Sequence, residues 1–169
     1  MSTVEEYKSG EAAKAVKTAW QAMKAIEGDL AADEIGKVII DTVRGLSPQK
    51  IELSRAAELI AQADKCAKGE RVCRCQFPGS PRSESVFLDE LAEGLVQAGK
   101  AEFVTPGQAV KVLENGKGKP IVVTKVEGKY MEICRTWHEH CVYWNLEKRG
   151  VRCLGGDEAS GRRGSARRD

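Results

Sequence analysis

Six cysteines are the residues of this chain best suited to chemistry, and four of them form two pairs. Cys73 and Cys75 flank one arginine, and Cys134 and Cys141 enclose a segment with two histidines about sixty residues later. Thiolates are preferred ligands of zinc and of the irons in iron–sulfur clusters. A Cys-x-Cys pair directs both sulfurs into one small volume only where the backbone turns sharply. The spacing therefore predicts a metal centre held by Cys73, Cys75, Cys134 and Cys141.

Three further residues have side chains that could bind a metal: His138, Cys153 and Cys66. If the segment from Cys134 to Cys141 is helical, His138 lies between them at the i+4 position, and all three share one helix face. His138 and Cys153 are therefore reserve ligands for this centre. Cys66 shares a helix face with apolar residues, so it is predicted to be a small apolar core residue instead.

The bulk composition favours a globular protein of the cytoplasm. The 27 basic and 25 acidic residues give a net charge of only +2, which does not favour a nucleic acid partner. No apolar run reaches the roughly twenty residues that cross a bilayer, and the N-terminus lacks the features of a secretory signal. In a reducing compartment, cysteines at such spacings are typical of metal binding rather than of disulfides. No catalytic residue is predicted, so the chain is expected to lack an activity of its own or to serve as an oxidoreductase subunit.

The pattern of apolar and turn residues predicts a mostly helical α+β domain with a β-hairpin and a cysteine-bearing loop. The predicted helices cover residues 10–27, 32–45, 54–67, 84–98, 105–115 and 136–148. An irregular loop is predicted for 69–85, and a hairpin joins strands 120–126 and 129–133 through Glu127-Gly128.

The same pattern divides the chain into three regions. Residues 1–47 are predicted to form an N-terminal helical pair, and residues 48–155 a cysteine-rich metal-binding region. Residues 156–169 contain mainly glycine, serine, arginine and acidic residues, which predicts a disordered tail.

Four segments of the metal-binding region resemble a bacterial and archaeal ferredoxin-like 4Fe-4S-binding protein family. In that family a helix similar to 51–64 leads into a motif similar to Val72-Cys73-Arg74-Cys75. A helix similar to 105–113 and an extended segment then lead to an Ile-Cys stretch similar to Ile133-Cys134. The likeness covers about residues 48–141 and implies a 4Fe-4S cluster on the paired cysteines. The further cysteines of that family are absent here, so the resemblance implies one cluster rather than two.

Three functions remain open at this point. The first is an iron–sulfur protein that acts in electron transfer, or as a redox-responsive subunit, with a redox partner protein. The second is a structural zinc module of an interaction protein, with His138 as a possible fourth ligand. The third is a metal-dependent regulator, because helix, helix and hairpin over 84–133 is also the order of a winged helix.

Overall fold

An antiparallel sheet positions the cysteines. Residues 2–79 and 84–156 are described by a computed structural model, in which six strands form this sheet. They are β1 (Gln49–Ile51), β2 (Cys66–Glu70), β3 (Glu84–Leu88), β4 (Ala101–Phe103), β5 (Ile121–Val126) and β6 (Lys129–Arg135). The spatial order is β1-β5-β6-β3-β2-β4, so β5, β6 and β3 lie at the centre.

The helices pack on both faces of this sheet. They are α1 (Val4–Ser9), α2 (Glu11–Ala25), α3 (Glu34–Gly45), α4 (Leu53–Gln62), α5 (Asp89–Gln97), α6 (Pro106–Glu114) and α7 (Val142–Lys148). A short 3₁₀ turn, Val72–Cys75, follows β2. Side-chain caps define several helix starts: Thr3 and Thr105 each form a capping box, and the Asp33 carboxylate accepts from two backbone N–H groups.

The alternation of side chains along the strands separates two sheet faces. On one face, α4 and α6 cover a core that includes Val86, Val123 and Ile133. On the other face, α1 and α5 cover a core around Phe87 and Met131. A third apolar cluster, with Met23, Leu30, Ile39, Ile40, Val43, Leu146 and Val151, joins α2, α3 and α7.

A β-bulge in β6 changes which face its residues take. Thr124 pairs with Glu132 and Lys125 pairs with Tyr130, which leaves Met131 as the extra residue. Tyr130 and Ile133 both pack on the α4 and α6 face, whereas Met131 lies on the opposite face. Glu132 therefore lies with Thr124 on the face away from α4 and α6.

The predicted α+β architecture is confirmed. The elements predicted from short turn and capping motifs were placed accurately. The hairpin turns at Glu127-Gly128, where both residues have positive φ. The helix that begins at Pro106 has Thr105 as its N-cap, as predicted. In the described residues no helix is long and apolar enough to cross a membrane.

Two predicted helices in the middle of the chain were wrong in part. Residues 84–88 form β3 rather than helix, and the helix that begins at 53 ends at Gln62, so that Cys66 starts β2. These segments pair with each other across the sheet, and pairing between distant strands overrides local preference. The helix–helix–hairpin order predicted for 84–133 is therefore interrupted by β3 and β4.

The ends of the predicted loop and the start of the chain also differ from expectation. Residues 69–70 belong to β2 and 84–85 to β3, so the irregular segment is shorter than predicted. The helix α1 was not predicted, because its six residues are too few to show a period. The tail predicted to be disordered is 156–169, and all of it except residue 156 lies outside the described residues.

Candidate metal centre

Three of the four predicted thiols border one cavity. Cys73 lies in the 3₁₀ turn after β2, Cys134 near the end of β6, and Cys141 at the N-cap of α7. All three line a cavity of about 400 Å³ between the sheet and the helices α2 and α3, which we call the thiol cavity. Two turns and a strand end thus bring together cysteines that are about sixty residues apart in the chain.

The predicted helical arrangement of the second pair is wrong. Cys134 is in a strand and pairs with Val122, and the helix begins only at Val142. Cys134 and Cys141 therefore do not share a helix face. The segment between them contains a turn closed by a hydrogen bond from the His140 N–H to the Trp137 carbonyl oxygen, and both thiols border the cavity.

The reserve ligands lie elsewhere. The His138 ring packs edge-on against Trp144, with ring centroids 4.5 Å apart, and it does not line the cavity. The Cys153 sulfur lies 3.5 Å from the Tyr143 carbonyl oxygen, against the cluster of α2, α3 and α7. The side chain of Cys75 is outside the described part of the structure.

Cys66 is a buried core residue, as predicted. Its thiol lies 3.6 Å from the Ile60 carbonyl oxygen and packs among Ile60, Val86 and Leu88. Burial raises the pKa of this thiol. Cys66 therefore serves as an internal comparison for the cavity thiols, because it is enclosed by protein but lies apart from them.

The donor set of the thiol cavity fits a thiolate-bound centre in its chemistry. Three soft sulfur donors face a common volume, and the buried side chain of Arg71 supplies positive charge on its wall. The Arg71 guanidinium is held there by a hydrogen bond of 3.0 Å that it donates to the Arg135 carbonyl oxygen. Within the described ranges, no three His, Cys, Asp or Glu side chains converge as tightly as they do around one bound ion.

Burial keeps the thiols of Cys134 and Cys141 protonated. Burial, opposed by a backbone hydrogen bond from Trp144 and assisted by the nearby Cys73, raises the pKa of Cys141 to about 12. Burial also raises the pKa of Cys134, together with the charges of Glu132, Cys141 and Cys73, while Arg71 lowers it. Because a metal binds the thiolate, metal capture at this site releases protons and is favoured by higher pH.

The reactivity of Cys141 tests this electrostatic description. In metal-free protein at pH 8, we expect iodoacetamide to modify Cys141 at least about tenfold more slowly than in urea-unfolded chain, since each unit of raised pKa lowers the thiolate fraction about tenfold. The rate should increase as pH rises above 8. Mass spectrometry of the modified peptides gives the rate for each cysteine. Equal rates in folded and unfolded chain would show that Cys141 is not enclosed.

A half-buried carboxyl group lines the cavity and was not predicted. Tyr7 of α1 donates a hydrogen bond of 2.5 Å to Glu132 Oε2, and Ser85 of β3 donates one of 3.4 Å to Oε1. Burial raises the pKa of Glu132, whereas these two hydrogen bonds and the charge of Arg71 lower it. The signal for Glu132 in the sequence was an acidic residue amid a β-rich run, two positions before Cys134.

An aromatic contact joins the two cysteine segments. Phe77, which follows the Cys-x-Cys turn, stacks on His140 with centroids 4.0 Å apart and an interplanar angle of 4°. Its edge contacts Trp20 of α2, with centroids 5.0 Å apart. His140 was expected at the surface, and it is instead half-buried because Phe77 covers its ring.

The fold and the site together define an α+β protein with a buried cavity that is bordered by cysteine thiols. No protein-family model, curated protein or solved structure matches this chain.

Proposed function

We propose that this protein binds one 4Fe-4S cluster in the thiol cavity and works in electron transfer or as a redox-responsive subunit. Cys73, Cys75, Cys134 and Cys141 are the proposed ligands. The observation that carries the proposal is that three of these thiols, from two distant segments, border the same cavity.

The form of the cavity supports a cluster over a single zinc ion. A zinc site requires all four ligands at about 2.0–2.3 Å from one point. A 4Fe-4S cluster is several atoms across and accepts one thiolate at each iron, from separate directions. Within the described ranges the cavity thiols do not converge on one point, and a cavity of about 400 Å³ has room for the larger centre.

The protein itself would set the properties of such a centre. A 4Fe-4S cluster with four thiolates supplies one-electron chemistry and carries net negative charge. Arg71, which is only 3% exposed, places its guanidinium charge near Cys134 and Cys141 and would favour the more negative form. The apolar side chains of Val16, Ala19 and Val43 limit the access of water from the helix side.

A basic surface beside the Cys141 segment supports an acidic redox partner. The charges of Lys50, Lys119 and Lys148 all act on His138 and, after desolvation, lower its pKa. Lys119 also lies over the Trp137 ring, 4.2 Å from its centroid. Clustered lysines of this kind steer association with an acidic protein surface.

The state of the cysteines supports a cytoplasmic location. Among the described residues, Cys66, Cys134, Cys141 and Cys153 carry free thiols. A reducing compartment maintains that state.

Purification without oxygen tests the proposed function directly. We expect brown protein with broad absorbance at about 400 nm, from thiolate-to-iron charge transfer, and about four irons per chain. Iron and zinc are measured in the same sample by plasma mass spectrometry. Colourless protein with one zinc per chain would overturn the iron–sulfur proposal in favour of a structural zinc module.

A further inference from the structure

A row of oxygen-bearing side chains crosses the sheet wall of the thiol cavity. Thr124 of β5 lies directly opposite Glu132 of β6, and Ser85 of the next strand, β3, reaches the same carboxyl group. The phenol oxygen of Tyr7, from helix α1, contacts the same carboxyl group. These four side chains line the cavity together, beside the thiols.

The hydroxyl group of Thr124 in this row lacks a hydrogen-bond partner among the described residues. The Thr124 side chain is 4% exposed. Buried hydroxyl groups are almost always paired, because burial without a partner costs free energy. A molecule bound in the cavity could therefore supply the missing hydrogen bond to the hydroxyl of Thr124.

The opposite wall of the cavity has a different character. Ala12, Val16 and Ala19 of α2 and Val43 of α3 present small apolar side chains to it. A cavity of about 400 Å³ lies within the range of about 300–1,000 Å³ that is typical of small-molecule sites. One apolar wall and one wall with a few polar groups is also the usual composition of such sites.

We propose that the thiol cavity also binds a small, uncharged, mainly apolar molecule through a single hydroxyl group. Its hydroxyl would pair with Thr124 and Glu132, since a hydroxyl both donates and accepts. Its apolar body would lie against Ala19 and Val16. The carboxyl group of Glu132 disfavours an anionic ligand, and the buried guanidinium of Arg71 disfavours a cationic one.

This inference does not depend on the cluster. The hydroxyl row belongs to β3, β5, β6 and α1, and it persists whether or not the thiols carry metal. A molecule bound there would lie next to the proposed centre, in the position of a substrate or an effector.

Three probes that share an ethylbenzene body and differ in one substituent test the proposal. We expect 4-ethylphenol to bind the full chain about three- to tenfold more tightly than ethylbenzene, which lacks the hydroxyl. We expect no binding of 4-ethylbenzoate, which carries a charge. Titrations followed by NMR are run on protein as purified and on protein after metal removal. Failure of 4-ethylphenol to bind, equal affinities for 4-ethylphenol and ethylbenzene, or binding only after metal removal would each overturn the proposal.

Two variants locate the probe. Thr124→Val should remove the preference for 4-ethylphenol over ethylbenzene while ethylbenzene still binds. The matched control Thr18→Val changes an exposed position on α2 outside the cavity and should keep the preference. Ala19→Phe should fill the cavity and abolish binding of both probes, with circular dichroism to verify folding. An unchanged preference in Thr124→Val, or unchanged binding in folded Ala19→Phe, would place the probe elsewhere and overturn the proposal.

Discussion

Serine in place of Cys73, Cys134 or Cys141 removes most of the iron from anaerobically prepared protein: this is the largest effect that we expect. Serine keeps the size of cysteine but replaces a soft thiolate by a hydroxyl that iron–sulfur chemistry does not favour. Each of the three thiols borders the thiol cavity, so each loss leaves the centre incomplete. Iron per chain and the absorbance at about 400 nm are the two measurements. Cys75→Ser belongs in the same series as the fourth proposed ligand.

Two matched variants control for the loss of any buried thiol. Cys66 packs in the core under α4, and Cys153 packs against Tyr143, away from the cavity. Cys66→Ser and Cys153→Ser should therefore keep their iron, even if both lower the free energy of unfolding. Iron loss in Cys66→Ser with full iron in Cys134→Ser would mean that a different set of thiols forms the centre.

Loss of the metal should lower the free energy of unfolding by about 4 kcal/mol, which is the second large effect. A centre shared by Cys73 and Cys134 closes a loop of about sixty residues, and a cross-link of that span restricts the unfolded chain by about this amount. Unfolding in guanidinium, with and without anaerobic chelation, measures the difference.

Hydrogen exchange shows where the lost stability lies. Chelation should loosen 69–79 and 134–153 together, because both segments would hold ligands of one centre. The helices α2 and α3 contain no cysteine and should keep most of their protection. Loosening of only one of the two segments would indicate two separate sites and would contradict the shared centre.

The elements that the sequence predicted well are those with local signals. The hairpin required only the Glu127-Gly128 turn between two β-rich runs, and α6 required only Thr105-Pro106. The strands β2, β3 and β4 have no such signal, because they form through pairing with one another. Val86, Phe87 and Leu88 favour a helix or a strand equally until a partner strand is known.

The same distinction holds for the candidate site. Spacing alone predicted that Cys73, Cys134 and Cys141 come together, and all three border one cavity, whereas their binding of a metal stays a prediction. Glu132 lines the cavity only because of the bulge at Met131. Strict alternation along the strand would have placed its side chain on the same sheet face as Tyr130. Tyr7 comes from a helix more than one hundred residues away in sequence, and no local pattern connects the two.

The stack of Phe77 on His140 bears on how the mature protein is made. It ties the Cys-x-Cys turn to the Cys141 segment through side chains alone, with Trp20 as a third contact. This contact would keep the two ligand segments next to each other before any cofactor arrives, and the cofactor would then order both of them further. A newly synthesised chain would accordingly fold first and accept its cofactor afterwards. Its loading rate would then depend on entry past α2 and α3, so iron starvation would leave a folded apoprotein that can be loaded later without new synthesis.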